Sequence, residues 1–157
     1  MGSSFDIRVD DLSGPAVQAL LREHIVSMHE VSPPESIHAL DVEQLRSPDV
    51  TFWSVWEGSE LAGCGALLEL SPEHGELKSM RTSKTHLRRG VAGLLVEHLM
   101  RTAIERGYRR LSLETGSQDA FAPARALYAK FGFEACGPFG KYTDDPNSAF
   151  MTREISS

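Results

Sequence analysis

The stretch Ser83-Lys84-Thr85-His86-Leu87-Arg88-Arg89-Gly90-Val91-Ala92-Gly93-Leu94-Leu95 decides how this sequence is read. Ahead of it, Glu76–Ser83 has the composition of a strand. Behind it, Gly90–Arg106 carries no proline and no turn signal after Gly93, which predicts a long helix. Glu97, Arg101 and Glu105 give that helix a solvent stripe, and Gly107 suits its C-cap. The turn between strand and helix is tight, basic and built of small residues. The first N–H groups of a helix have no partner inside it, and together with the macrodipole they form an anion site. Gly90, Ala92 and Gly93 leave room for a bulky anion to approach the backbone. From Leu77 to Val96 the chain holds five cations (Lys78, Arg81, Lys84, Arg88, Arg89) and no carboxylate, which reads as a local phosphate footprint. A glycine-containing helix start with solvated arginines is the plain alternative.

Working outward, Phe5, Ile7 and Val9 alternate with polar residues as in a half-buried strand. Ser13-Gly14-Pro15 reads as a helix start with Ser13 as N-cap, followed by Val17, Leu20, Leu21, His24, Ile25 and Met28 at helical spacing. Ser32-Pro33-Pro34 interrupts that helix, and a short one is predicted over Asp41–Arg46. Val50–Trp56 and Leu61–Leu70 predict strands joined by a hairpin at Glu57–Glu60, and a second turn at Ser71–Gly75 leads to the strand Glu76–Ser83. Beyond Gly107 come a strand (Arg109–Thr115), a helix (Ala120–Phe131) and two strands (Gly132–Gly137 and Ser148–Ile155). The order β-α-α-β-β-β-α-β-α-β-β predicts one α/β domain over residues 1–157, with helices on both faces of a mixed sheet.

Composition sets the bounds. A chain of 157 residues with 41% hydrophobic and 24% charged side chains is long enough to bury a core without disulfide or metal staples. The longest apolar run, Leu61–Leu68, is too short to span a membrane, and the first residues lack the basic and apolar segments of a secretory signal. A net charge of −6 argues against a protein living on nucleic acid backbone. Two unrelated cysteines, Cys64 and Cys136, suit a reducing cytoplasm. Other phosphate motifs fit worse: Gly63-Cys64-Gly65 lacks the third Rossmann glycine, and Gly137–Lys141 is too short for a P-loop.

The turn resembles motif A of the GNAT N-acetyltransferase superfamily, (Arg/Gln)-x-x-Gly-x-(Gly/Ala), with Gly90 and Ala92 at the small positions and Leu87 at the Arg/Gln position. Ala124-Arg125-Ala126-Leu127-Tyr128-Ala129-Lys130-Phe131-Gly132-Phe133 is similar to the family's motif B helix, with Phe121 in place of its Asn. The resemblance implies a GNAT-like, mostly antiparallel mixed sheet of about 6–7 strands flanked by about 4 helices. It also implies an acyltransferase that moves the acetyl group of acetyl-CoA to a primary amine of a small molecule or peptide. The pyrophosphate would sit at Leu87, Arg88, Arg89, Gly90, Val91, Ala92 and Gly93, and the pantetheine arm against the backbone of Met80, Arg81 and Thr82. A homodimer is compatible with the family. A catalytically weak acyl-CoA-binding sensor is the competing class, kept open by Leu87 and Phe121.

Acetyl transfer needs a neutral amine, a stabilised oxyanion and a leaving thiolate. By the resemblance, Tyr128 is the candidate general acid at the thioester sulfur, set against a ring that only packs on the helix's apolar face. Glu76, on the strand before motif A, is the candidate general base, set against a solvated carboxylate at a strand start. His74, His29 and His38 are fallback bases. Residues 30–60 hold seven carboxylates (Glu30, Glu35, Asp41, Glu43, Asp49, Glu57, Glu60) against Arg46 alone. They form either a solvated acidic surface or a negative rim that draws in a cationic amine.

Overall fold

Alternating apolar residues along seven strands build one sheet, with its two faces covered by different helices. The computed structural model describes residues 4–37 and 40–155. In chain order the elements are β1 (Asp6–Val9), α1 (Pro15–Val31), α2 (Val42–Leu45), β2 (Val50–Glu57), β3 (Glu60–Ser71), β4 (His74–Thr82), α3 (Val91–Glu105), β5 (Arg110–Gly116), α4 (Ala122–Lys130), β6 (Glu134–Cys136) and β7 (Ser148–Glu154). The sheet order is β1-β2-β3-β4-β5-β7-β6, and every neighbouring pair is antiparallel except β4–β5. This is the mixed, mostly antiparallel sheet that the sequence predicts, with the elements in the predicted order.

Leu67, Leu77, Leu111, Leu113 and Met151 pack with Leu95, Val96 and Leu99 of α3 and Tyr128 of α4. On the opposite face, Phe52, Cys64 and Ala66 pack with Val17, Leu20 and Leu21 of α1 and Leu45 of α2. Two local expectations shift. The N-cap of α1 is Gly14, not Ser13, because the Ser13 hydroxyl donates instead to Asp11 Oδ1 at 2.6 Å. The predicted helix over 120–131 opens with a 3-10 turn, Asp119–Phe121, since Pro123 delays the regular helix. The short helix α2 starts as its sequence suggests, with Asp41 and Gln44 capping one another.

The feature that positions the site is a gap in the sheet. β4 and β5 pair only from His74/Arg110 to Leu77/Leu113, although β4 runs on to Thr82 and β5 to Gly116. Just past the last pair β4 carries a bulge. Cys64 faces Arg81 and Ala66 faces Lys78, so three steps on β4 match two on β3. Ser79, inside the bulge, has φ +55°. The two strands therefore part, and the start of α3 lies beside the opening.

Gly63 lets that helix start come close. A Cβ there would lie 2.9 Å from both the Arg81 carbonyl oxygen and Val91 Cγ1. The first of these is backbone, which cannot swing aside. Gly63→Ala should lower stability by about 1–3 kcal/mol through overpacking, read as a reduced Tm. An unchanged Tm would show that α3 moves freely against β3.

Candidate active site

The parted strands open into a cleft of about 760 Å³. Its walls come from β4, β5, α1, the 84–93 turn and α4. Gly90 caps α3 in the left-handed region at φ +83°, and a Cβ there would meet nothing within 4 Å. The demand for glycine at this point is conformational. Arg88, two residues earlier, also has positive φ, at 62°. The pair of left-handed residues turns the chain sharply, and the N–H groups of Val91, Ala92 and Gly93 then open the helix without intrahelical partners. A Cβ at Gly93 would be in ordinary contact with the Phe131 ring at 3.7 Å. Leu87, Arg88, Gly90, Val91, Ala92 and Gly93 all line the cleft, with Lys84 beside them.

Arg89 lies elsewhere. Its guanidinium donates to Glu57 Oε1 at 2.9 Å and to Glu57 Oε2, and it lies over the Phe5 ring. The carboxylate holds it above the ordinary arginine value. His86 shares Glu57, 3.1 Å from Oε1, and is buried. Two adjacent arginines thus have different jobs, since the turn sends one towards the cleft and the other towards β2.

Met80, Arg81 and Thr82 line the parted end of β4. Tyr128 reaches the cleft from α4, its ring edge-on to Phe133 with centroids 6.0 Å apart. Burial holds its phenol above the ordinary value, so it stays protonated. Phe121, at the motif B position usually held by Asn, lies over Gly116, where a Cβ would come 2.1 Å from its ring. Arg125 Nη1 closes the connection below it by donating to the Gly116 carbonyl at 2.6 Å.

Glu76 sits behind this wall. It is 2% exposed and does not line the cleft. Its Oε2 accepts from Lys78 Nζ at 3.1 Å and from the Tyr142 hydroxyl at 2.5 Å, and Lys78 Nζ reaches that same hydroxyl at 2.8 Å. The carboxylate ties the 139–147 loop to the sheet. Phe139, Tyr142 and Phe150 pack edge-on or tilted around it. His74 is likewise occupied, 2.7 Å from Ser112 Oγ, with burial lowering its pKa. His29 is exposed on α1 and does not line the cleft, and His38 lies outside the described residues. None of the seven carboxylates in residues 30–60 lines the cleft either.

The carboxylate that does line it is Glu114, near the end of β5 and beyond the last β4–β5 pair. Burial raises its pKa to about 7, with Glu76 and Asp145 pushing the same way and Lys78 opposing. The sequence contains a signal for it. Leu111 and Leu113 alternate inward, so Glu114 belongs to the opposite face at the carboxyl end of a parallel strand, where α/β sheets place ligands. His24, Met28 and Ser79, which the sequence reading did not place in the site, complete the α1 side together with Lys78, one of the five cations of the basic window.

A glycine helix start beside a parted parallel pair, with a tyrosine helix facing it, is the arrangement that the resemblance to CoA-dependent acyltransferases implies. Residues 17–133 match the acetyltransferase (GNAT) family, and the chain belongs to it. It is 60% identical over 149 residues to the uncharacterized N-acetyltransferase YsnE of Bacillus subtilis (strain 168), covering 95% of this chain and 99% of that one. Among solved structures, a putative acyl-CoA N-acyltransferase from Klebsiella pneumoniae superposes with TM-score 0.77 at 23% identity, covering 96% of this chain and 97% of that one. A GNAT family acetyltransferase from Elizabethkingia anophelis with acetyl-CoA bound gives 0.67 at 18% identity, covering 96% and 98%. The protein is therefore an acyltransferase with acetyl-CoA as its co-substrate.

The buried position of Glu76 makes its charge a structural matter. Glu76→Gln leaves the Lys78 ammonium, itself 9% exposed, without its carboxylate. Stability should fall by about 3–5 kcal/mol, as for other buried pairs broken on one side, measured by urea denaturation. A loss under 1 kcal/mol would show that the pair is not holding the loop.

Proposed function

We propose that the protein transfers the acetyl group of acetyl-CoA to a primary amine of a small molecule or peptide. Glu114 would act as the base and Tyr128 as the donor to the sulfur. The observation that carries this reading is that both residues, from β5 and α4, line the one cleft that opens where β4 and β5 part.

Acetyl-CoA enters as a substrate along the open strand end. The N–H groups of Val91, Ala92 and Gly93, with Arg88 and Lys84 beside them, suit its pyrophosphate. The backbone of Met80, Arg81 and Thr82, released from pairing with β5, suits its pantetheine arm. Glu114, half ionised near neutrality, takes a proton from the arriving ammonium directly or through one water. The neutral nitrogen attacks the carbonyl carbon, the C–N bond forms, and the C–S bond breaks. The Tyr128 hydroxyl hydrogen-bonds to the sulfur as negative charge gathers there. A phenol held high is a steady donor at working pH, and this makes the thiolate easier to expel. The nitrogen's second proton passes through water to the expelled thiolate, so the products are the amide and the CoA thiol, with the first proton left on Glu114. In this reading Glu76, behind the wall, positions Lys78 and the 139–147 loop.

Two experiments follow. Gly90→Glu places both a Cβ at φ +83° and a negative charge at the helix start, and should weaken acetyl-CoA binding at least about tenfold by calorimetry. Normal binding would remove the turn from the cofactor site. The pH profile of kcat/KM should rise through about 7 as Glu114 loses its proton. Glu114→Gln should lower kcat by about 10²–10⁴ and abolish that limb. Tyr128→Phe should lower kcat while leaving acetyl-CoA affinity and the limb in place. A limb that survives in Glu114→Gln would assign the base elsewhere.

A further inference from the structure

From the α1 side of the cleft we infer that the acceptor amine also carries a carboxylate, as an amino acid does, and that Arg81 holds it. This rests on the acetyl-transfer reading above and names the class of acceptor for it.

Among the described residues, the charges that line the cleft are Lys78, Arg81, Lys84 and Arg88 against Glu114. Lys84 and Arg88 flank the start of α3 and suit the cofactor's phosphates. Lys78 is matched by Glu76 behind it. Arg81 and Lys84 share one carboxylate, Glu23 of α1, at 3.0 and 3.8 Å. With Lys84 given to those phosphates, Arg81 and Glu23 balance one another on that side.

The hydrogen bonds carry the inference. Arg81 Nη2 donates to Glu23 Oε1 at 3.0 Å and to Ser27 Oγ at 3.1 Å, which fixes the guanidinium against α1. Its Nε is buried with no partner among the described residues. Two further cleft-lining side chains share that condition, Ser79 at Oγ and His24 at Nδ1. Ser79 is 9% exposed. Burying polar groups without partners is costly, and three in one wall is an unusual concentration. An Arg N–H can only donate, and Ser and His can donate too. What these three atoms lack is an acceptor, and a carboxylate supplies two acceptor oxygens that a guanidinium N–H favours. Burial and the Arg81 charge hold His24 near 4, so the ring is neutral at pH 7 and adds no second cation. Across the parting, on β5, Glu114, the one carboxylate among the described residues that line the cleft, faces the other end of such a molecule, its ammonium.

The geometry depends on the bulge in β4. Regular alternation would send Lys78 and Arg81 to opposite faces of the sheet. The extra residue at Ser79 brings both to the α1 face, opposite Ala66 and Cys64.

The test compares acceptors that differ only in the carboxylate: tryptophan with tryptamine, phenylalanine with phenethylamine and leucine with isopentylamine, each with acetyl-CoA and free thiol as readout. In the wild type, kcat/KM for at least one amino acid should exceed that for its decarboxylated partner tenfold or more, as expected for a charge-assisted contact. In Arg81→Gln that preference should collapse to under about twofold, with the KM for acetyl-CoA followed in parallel. If Arg81→Gln fails to fold, Arg81→Lys, which keeps the charge but loses Nε and the fork, should cut the preference at least about threefold. Equal rates for both members of every pair in the wild type, or a preference that survives in the variant, would overturn the inference. If no amine of the panel is turned over, the transfer reading fails. The inference is then read by calorimetry on the CoA-loaded protein: tryptophan binding that tryptamine does not show, lost in Arg81→Gln, supports it, and equal or absent binding overturns it.

Discussion

The parting of β4 from β5 after Leu77/Leu113 is the constraint on which the rest of this molecule depends. A parallel pair inside an otherwise antiparallel sheet is tied together by a crossover, here α3, and its strands share hydrogen bonds over only four residue pairs. Beyond them the backbone of β4 is available to a ligand, and β5 brings Glu114 to the opposite lip. The bulge at Ser79 makes the parting abrupt, and Gly63 lets the first turn of α3 sit against the parted end. Helix start, open strand and acidic strand end thus share one cleft because one pairing stops early.

Charge is distributed to match. The cations of residues 77–96 divide between two ends of the cleft and a structural contact. Lys84 and Arg88 stand by the helix start, Lys78 and Arg81 face α1, and Arg89 is spent on Glu57. The acidic residues of 30–60 lie away from the cleft. Asp41 caps α2, Glu43 pairs with Arg46, and Glu57 holds Arg89 and His86. The net charge of −6 therefore says little about the site, whose lining is basic with a single carboxylate.

Much of this was legible in the sequence. The order of elements, the glycine helix start and the tyrosine helix were all readable, because each rests on local rules of periodicity, capping and turn chemistry. The side-chain partners were not. Glu76 and Glu114 both stand on strands leading to the site, and only the β4–β5 register shows that Glu76 is paired over while Glu114 lies past the last pair. Arg88 and Arg89 are indistinguishable as letters. The positive φ of Arg88 and Gly90 turns them apart, and no letter of the sequence shows which side chain goes to which side. The α1 wall was hidden for a similar reason. An unannounced bulge breaks the period of two, and alternation read through it puts Arg81 on the wrong face.

The central claim is that the parted strands and the start of α3 form one acyl-CoA site. A crystal structure of the protein with CoA tests it most directly. The account predicts pyrophosphate oxygens against the N–H groups of Val91, Ala92 and Gly93, the pantetheine arm along Met80–Thr82, and the thiol within reach of the Tyr128 hydroxyl. CoA bound outside the β4–β5 opening, or with its thiol remote from both Tyr128 and Glu114, would contradict it.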